Sequence, residues 1–467
     1  MSRERIAIIV SVVLVVAVAL WFQFGHAPEP KPKPQPPAQP MAEPTLASLA
    51  GPVKPWVRLT AAQDHARILK ELHLAALRPG VSGDPHAPGA ANTDEAKANP
   101  YPDLPDPLKL RDGTAVTSSD MWWQQRRGEL AETLEAEVYG KQRPEATITW
   151  TADGGKPEQV GAVAAVTRHV IGRVYGVQNL PWITTTAQLT VTIPAAAKGP
   201  VPVILLLTSS DAERRAASTW REQVLAKGWG AAVFDVTSLQ PDNGAGLTSG
   251  AIGLSTGGQP RRIDDWGVLR AWAWGASRVL DYLEGFDKVD AAQVGIAGHS
   301  RYGKAALVAM AYDARFVVAY ISSSGAGGAA LMRRHFGEQI ENLAGTGEYH
   351  WFGGSFLKYA GTLTAKDLPV DSHELIALAA PRPIFISAGS KGDDWVDPRG
   401  MFMAEAAATP VYKLMGKTGL SATAMPAPGT LVDGGELAFR QHEQGHTMEP
   451  NWPYFLKFAE RYLHTKG

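Results

Sequence analysis

Ser300 lies in the stretch Val294-Gly-Ile-Ala-Gly-His-Ser-Arg-Tyr-Gly-Lys304. An apolar run ends there, a turn of small residues follows, and an Ala- and Leu-rich helix begins. A Ser on a sharp strand-to-helix turn is held clear of the sheet edge. The helix N-terminus then points backbone N–H groups at any oxyanion that forms beside it. The chemistry this suits is acyl transfer. The usual spacing is Gly-x-Ser-x-Gly; here the second Gly comes one place later, at Gly303, and Tyr302 fills its slot. A Ser hydroxyl needs a base, and the base needs an orienting acid. The candidate bases are His442 and His446, in Gln441-His-Glu-Gln-Gly-His446. His446 is preferred because Gly445 suits a loop that reaches across the sheet edge. The candidate acids are Asp393, Asp394 and Asp397. Asp393 is preferred because the apolar pair that follows Asp394 pins the loop to the core, and Asp397 reads as the cap of a helix starting near Pro398. Taken singly, each has a plainer reading: a turn serine, a solvated loop histidine, a capping carboxylate.

The elements that must position these residues follow from apolar periodicity. Continuous apolar runs at Val201–Leu207, Gly230–Val236, Gln293–Ala297, Phe316–Ser322 and Pro383–Ala388 read as buried strands. Arg214–Lys227 and Trp266–Leu283 read as helices, as does a terminal segment carrying Tyr454, Phe455, Phe458 and Tyr462. Thr117, Ser118, Ser119 and Asp120 offer N-caps for a helix through Val138. Thr147–Trp150, Ala162–Tyr175 and Ala187–Ile193 alternate or run β-branched and form an antiparallel start. Strand alternating with helix implies an α/β fold, a doubly wound and mostly parallel sheet between helical layers, of the α/β-hydrolase kind. Sites in such sheets lie at the carboxyl ends of the strands, where Ser300 falls. In that fold the triad runs Ser, acid, His along the chain, which requires a late His.

The 467 residues carry a formal net charge of −1 and no Cys. Near-neutral charge gives no footprint for nucleic acid. The missing Cys rules out disulfides, thiol nucleophiles, thiolate metal sites and a lipoprotein anchor. Ile6–Phe22 is apolar but for Ser11 and follows Arg3 and Arg5, so residues 1–25 read as a signal peptide or an uncleaved signal anchor. Bulky Trp21, Phe22 and Phe24 near the cleavage point favour the anchor. The charge order places the N-terminus inside and the rest outside. Residues 26–45 read as a Pro-rich spacer, 46–103 as an extension packed on the main domain with a helix over Ala61–Leu77, and 104–467 as the main domain. The expected location is the cell envelope or periplasm, with membrane contact only through the N-terminal segment.

The elbow Gly298-His-Ser-Arg-Tyr-Gly-Lys304 resembles the Gly-Cys-Ser-Arg-x-Gly-Lys motif of glucuronoyl esterases, carbohydrate esterase family fifteen. Asp265-Trp-Gly-Val268, Ser324-Gly-Ala-Gly-Gly328, Tyr349-His-Trp-Phe352, Ala380-Pro-Arg-Pro383 and Trp395-Val-Asp-Pro398 are similar to its bacterial members. The resemblance runs from about Leu104 to the C-terminus. It implies no metal or cofactor, and a monomer is expected. It also implies hydrolysis of esters of (4-O-methyl-)glucuronic acid, as in lignin–glucuronoxylan linkages. It assigns Ser300 as nucleophile, His446 as base, and Arg301 as oxyanion donor through its N–H and its guanidinium. Lys304 and Glu338 would bind sugar hydroxyls, Trp351 would line the sugar with its indole N–H as donor, and Arg333 or Arg334 would add a cation near the site. The plainer reading of the two arginines is a surface pair.

Two departures from the family pattern stand out. His299 replaces the Cys before the nucleophile, and Ser323 stands where part of the family has a Glu. The acid is therefore expected from the later loop, at Asp393. Two alternatives remain at this stage: an acetyl or other carbohydrate esterase, and a catalytically lapsed, envelope-tethered carbohydrate-binding protein.

Overall fold

The computed structural model describes residues 54–142, 146–176, 180, 182–210 and 219–465. The expected signal segment (1–25), the Pro-rich spacer (26–45) and the start of the extension lie outside the described residues. So does the first part of the helix expected over Arg214–Lys227.

Eleven strands form one sheet. They are β1 (Thr147–Ala152), β2 (Lys156–Val160), β3 (Val163–Tyr175), β4 (Thr186–Pro194), β5 (Val201–Thr208), β6 (Gly230–Asp235), β7 (Val289–His299), β8 (Phe316–Ser322), β9 (Ile384–Gly389), β10 (Leu431–Val432) and β11 (Leu437–His442). Their order is β1-β3-β4-β6-β5-β7-β8-β9-β11-β10, with β2 on β3. The segment from β6 to β11 is parallel, and β1 to β4 and β10 pair antiparallel. The order reverses at β5, so the crevice at its carboxyl end is flanked by the ends of β6 and β7.

Alternation along β5 shows why the sheet is covered on both sides. Ile204 and Leu206 pack with Trp220 and Val224 of helix α2 (Trp220–Ala226) and with Trp452 and Phe455 of the terminal helix. Val203, Leu205 and Leu207 belong to the other, larger core. That core takes in helix α3 (Val268–Glu284), helix α4 (Arg301–Tyr312) and helix α5 (Pro398–Leu414). Every residue of β5 is buried, and the strand is correspondingly apolar from Val201 to Leu207.

Sequence periodicity misplaced a few elements. The N-terminal helix, α1 (Ala61–Glu71), starts at a Thr60 capping box but ends at Glu71, because His73 takes a left-handed backbone. β2 (Lys-Pro-Glu-Gln-Val) is a polar edge strand with no apolar alternation. β11 ends in Arg440, Gln441 and His442, and this polar end masks a core strand. The helical run from Ser119, capped by Ser118, reaches Tyr139 through two π-helical turns.

The extension belongs to the same compact unit as the rest of the described chain. Its Tyr349 and Glu341 partners are typical of the contact: Asp64 accepts from the Tyr349 hydroxyl, and Arg78 pairs with Glu341. Among the described residues no helix is long and apolar enough to cross a membrane.

Candidate active site

The elbow is tight for an identifiable reason. A Cβ at Gly298 would lie 2.2 Å from the Tyr302 carbonyl oxygen, so strand and helix meet only because Gly stands there. Ser300 carries φ 56° and ψ −129°, a backbone conformation unusual for a residue with a side chain. Its N–H donates to the Ser322 carbonyl at 2.8 Å, tying the turn to the next strand. The first bond of helix α4 runs from Lys304 N–H to the Ser300 carbonyl, at 3.0 Å. The N–H groups of Arg301 to Gly303 therefore precede the intrahelical ladder and face the strand ends.

The base loop leaves β11 and crosses back over β9. It approaches so closely that a Cβ at Gly389 would lie 2.3 Å from the Gly445 carbonyl oxygen. Ser390 N–H donates to Gln444 at 3.0 Å, and the Gln441 amide donates to Gly389 at 2.9 Å. So held, His446 Nδ1 meets Asp393 Oδ1 at 2.6 Å. Asp393 is buried, and its Oδ2 accepts from Gly389 N–H and from the Ser323 hydroxyl, each at 2.7 Å. Burial pushes the Asp393 carboxyl up, but His446, Gly389 and Ser323 outweigh it, and the group stays ionised below its ordinary range. The Ser323 hydroxyl thus serves as a donor to Asp393. Asp394 is exposed on the 3₁₀ turn Asp394–Val396. Asp397 caps helix α5 through Gly400 N–H (2.9 Å) and pairs with Arg334 (2.7 Å). His442 is turned to the Thr447 carbonyl at 2.8 Å.

His299, one residue before Ser300, packs its ring against His446, with centroids 4.3 Å apart. Its Nδ1 lies 3.1 Å from the Ser322 hydroxyl. Burial first, and the neighbouring His446 second, push its pKa down to about 3. His299 is therefore a neutral spacer between elbow and base loop.

Beyond Ser300, His446 and Asp393, the first turn of α4 projects two cations. Lys304 is buried and pairs with Glu338 at 2.6 Å, and it also donates to the Ala326 carbonyl. Arg301 is largely exposed; its Nη1 meets Asp242 Oδ2 at 2.8 Å. Trp351 lies beneath both, 5.1 Å from the Arg301 guanidinium and 5.6 Å from Lys304 Nζ. Two of the expected site residues already have protein partners. The Trp351 indole N–H is already spent on Asp242, at 2.7 Å, because that carboxylate lies against the ring edge. The Arg333 guanidinium is buried on Asp371 (3.1 Å) and the Val370 carbonyl (3.2 Å). Its neighbour Arg334 is likewise held by Asp397 and Glu95.

Sequence reasoning missed two carboxylates. Asp242 follows β6 in Gln240-Pro-Asp-Asn243, a polar, Pro-marked loop at the carboxyl end of a buried strand, and that position was the available signal. Glu348 precedes the Tyr349–Trp351 turn. Its Oε2 is buried and has no hydrogen-bond partner among the described residues. Burial, reinforced by the Glu338 carboxylate, pushes its pKa up to about 7, against the pull of Lys304 and Arg301. Among the described residues no cluster of His, Asp and Glu is arranged to hold a metal ion.

This geometry can be set beside known proteins. Residues 183–416 match the family described as glucuronyl esterase, fungi. A glucuronoyl esterase from Teredinibacter turnerae is 44% identical, with a TM-score of 0.81 over 86% of this chain and 99% of that one. A carbohydrate esterase from an unknown prokaryotic organism is 33% identical over 80% of this chain and 93% of its own. The chain belongs to the glucuronoyl esterase family. A 4-O-methyl-glucuronoyl methylesterase of Schizophyllum commune is a more distant relative, 29% identical over 67% of this chain and 74% of its own. The sheet of this esterase, parallel at its centre and layered by helices on both faces, is the α/β-hydrolase fold of those structures. It is a carboxylic ester hydrolase.

Proposed function

We propose that this esterase hydrolyses esters of glucuronic acid or its 4-O-methyl ether through a Ser300–His446–Asp393 triad. The observation that carries the reading is the Asp393–His446 contact at 2.6 Å, on a loop packed against the residue before Ser300. His446 Nε2 takes the proton of Ser300 Oγ as the oxygen attacks the ester carbonyl carbon. Asp393 holds the Nδ1–H tautomer and stabilises the imidazolium. The tetrahedral oxyanion is met by the N–H groups of the α4 first turn and by the Arg301 guanidinium. On collapse, His446 returns the proton to the departing alcohol. Water, activated by the same imidazole, then releases the uronate and restores Ser300.

Substrate recognition rests on the pocket beside the elbow. Lys304 and Glu338 neutralise one another while keeping further donor and acceptor capacity for sugar hydroxyls. A sugar bearing an esterified carboxyl is uncharged there, and its release as a carboxylate next to Glu348 and Glu338 favours departure of the acid. Arginine before an apolar run supports export, so we place the catalytic body outside the cytoplasm, tethered or released at its N-terminus. Mass spectrometry of the mature N-terminus separates the two.

The function is tested by assaying the full chain in parallel on benzyl glucuronate and p-nitrophenyl acetate. Efficient turnover of the uronate ester, weakened in Lys304→Ala mainly through a raised KM while the acetate is cleaved as before, is the expected pattern. Equal loss on both esters, or preference for the acetate, would return the protein to general esterases.

A further inference from the structure

Asp242 has no assigned part in the reaction, yet three donors from two elements converge on it. Its Oδ1 accepts from His350 Nε2 at 3.0 Å and from Trp351 Nε1 at 2.7 Å. Its Oδ2 meets Arg301 Nη1 at 2.8 Å. The two oxygens therefore have different duties. One is tied to the Tyr349–Trp351 turn; the other is left for the residue after the nucleophile.

The loop that carries Asp242 is braced on both sides. Before it, the buried Gln240 amide donates to the Gly246 carbonyl (3.0 Å) and accepts from Ile252 N–H (2.9 Å). After it, the Asn243 side chain accepts from Gly246 N–H at 2.8 Å. Asp242 is thus fixed before Arg301 arrives. Arg301 is the reverse case. Its side chain is 44% exposed and makes one ion pair. Among the described residues its Nε and Nη2 carry no other hydrogen bond. A long, exposed side chain of this kind loses its rotamer freedom only if something holds it.

Resting on the reading of Arg301 as an oxyanion donor, we propose that Asp242 is a positioning residue for catalysis. It grips the guanidinium by Nη1 and so presents the remaining N–H groups toward the carbonyl under attack. Through its other oxygen it seats the Trp351 ring beneath the same guanidinium. Oxyanion stabilisation works by donors fixed in advance, so this grip acts on kcat rather than on ground-state binding. His350 does not compete for the charge: burial pushes its pKa down, and a neutral ring donates through Nε2–H.

The test is a double-mutant cycle on the full chain with benzyl glucuronate, using wild type, Asp242→Asn, Arg301→Ala and the double variant. Asparagine keeps an acceptor for Trp351 and His350 but drops the ion pair with Arg301. The expected result is that Asp242→Asn lowers kcat about tenfold, with KM within about twofold, a charge-assisted bond being stronger than a neutral one. In the Arg301→Ala background the same substitution changes kcat by less than about twofold, because the two residues act as one unit. Asp242→Ala also frees Trp351 and should raise KM as well. An equal fall in kcat in both backgrounds would show a merely structural role and overturn the proposal. Unchanged kcat in Asp242→Asn beside a slow Arg301→Ala would overturn it while leaving the oxyanion role of Arg301 intact. Wild-type kcat in Arg301→Ala would overturn both.

Discussion

Arg301 and Lys304 stand one helical turn apart on the same helix, each paired with a carboxylate and each near the Trp351 ring, and their settings are opposite. The side chains of Lys304 and Glu338 are 4% and 6% exposed; those of Arg301 and Asp242 are 44% and 17% exposed. A buried pair is held by mutual dependence, since removing one partner strands a charge in a low dielectric. A half-exposed pair is weakly held, is screened by water, and can rearrange. The buried pair suits a fixed recognition surface, and the open pair suits a group that must meet charge appearing only in the transition state. Glu348 feels the charges of both pairs.

The largest effect expected anywhere in the site belongs to neither pair, and it sets the scale for them. Asp393→Asn should lower kcat by about four orders of magnitude, as loss of the correct tautomer does in triads. Asp394→Asn should leave kcat within a few fold. Steady-state kinetics of the two variants checks this.

Next in size is the buried pair. Lys304→Met leaves Glu338 buried without its cation and should cost about 3–5 kcal/mol of stability by urea denaturation. Arg301→Ala should cost under about 1 kcal/mol in the same experiment. Equal losses would erase the distinction between the pairs. In kinetics the order reverses: Arg301→Ala should reduce kcat about a hundredfold, the usual size for one oxyanion donor.

The smallest effect concerns pH. The Glu348 carboxyl has an ordinary value of 4.5 and stands at about 7 in the folded chain. Because the folded value is raised, its contribution favours the fold below about 4.5 and is lost as pH rises through about 7. Over the same range it changes from a donor to an anion beside Glu338 and Asp242. The KM for the uronate ester should therefore vary severalfold between about pH 6 and 8, and Glu348→Gln should flatten that variation. A profile identical to wild type would remove Glu348 from the account.

Much of this arrangement was legible in the sequence because it is local or periodic. Five of the six parallel strands announce themselves as mainly apolar runs, since burial on both faces leaves few polar positions. The elbow is a local motif. The preference for Asp393 over its neighbours rests on the apolar pair Trp395-Val396, expected to pin the turn; Asp393 lies 2.6 Å from His446. What was not legible depends on where side chains turn after the backbone is placed. Nothing in Arg333-Arg334 says that Asp371 and Asp397 will claim both guanidinium groups. Nothing in Tyr349-His-Trp351 says that the indole N–H will be spent on a carboxylate more than a hundred residues earlier. β11 hid because its polar end carries the chain toward the base loop.

The most direct test of the central claim, that Ser300 is the nucleophile of a glucuronoyl esterase, pairs binding with turnover in one variant. Ser300→Ala retains a Cβ and so fits the same strained turn. Titration calorimetry of this variant with benzyl glucuronate should give an affinity within a few fold of the wild-type KM, and turnover should fall to the uncatalysed rate. Retained turnover would contradict the assignment of Ser300, and loss of both binding and turnover would contradict the claim that the pocket recognises the sugar independently of the nucleophile.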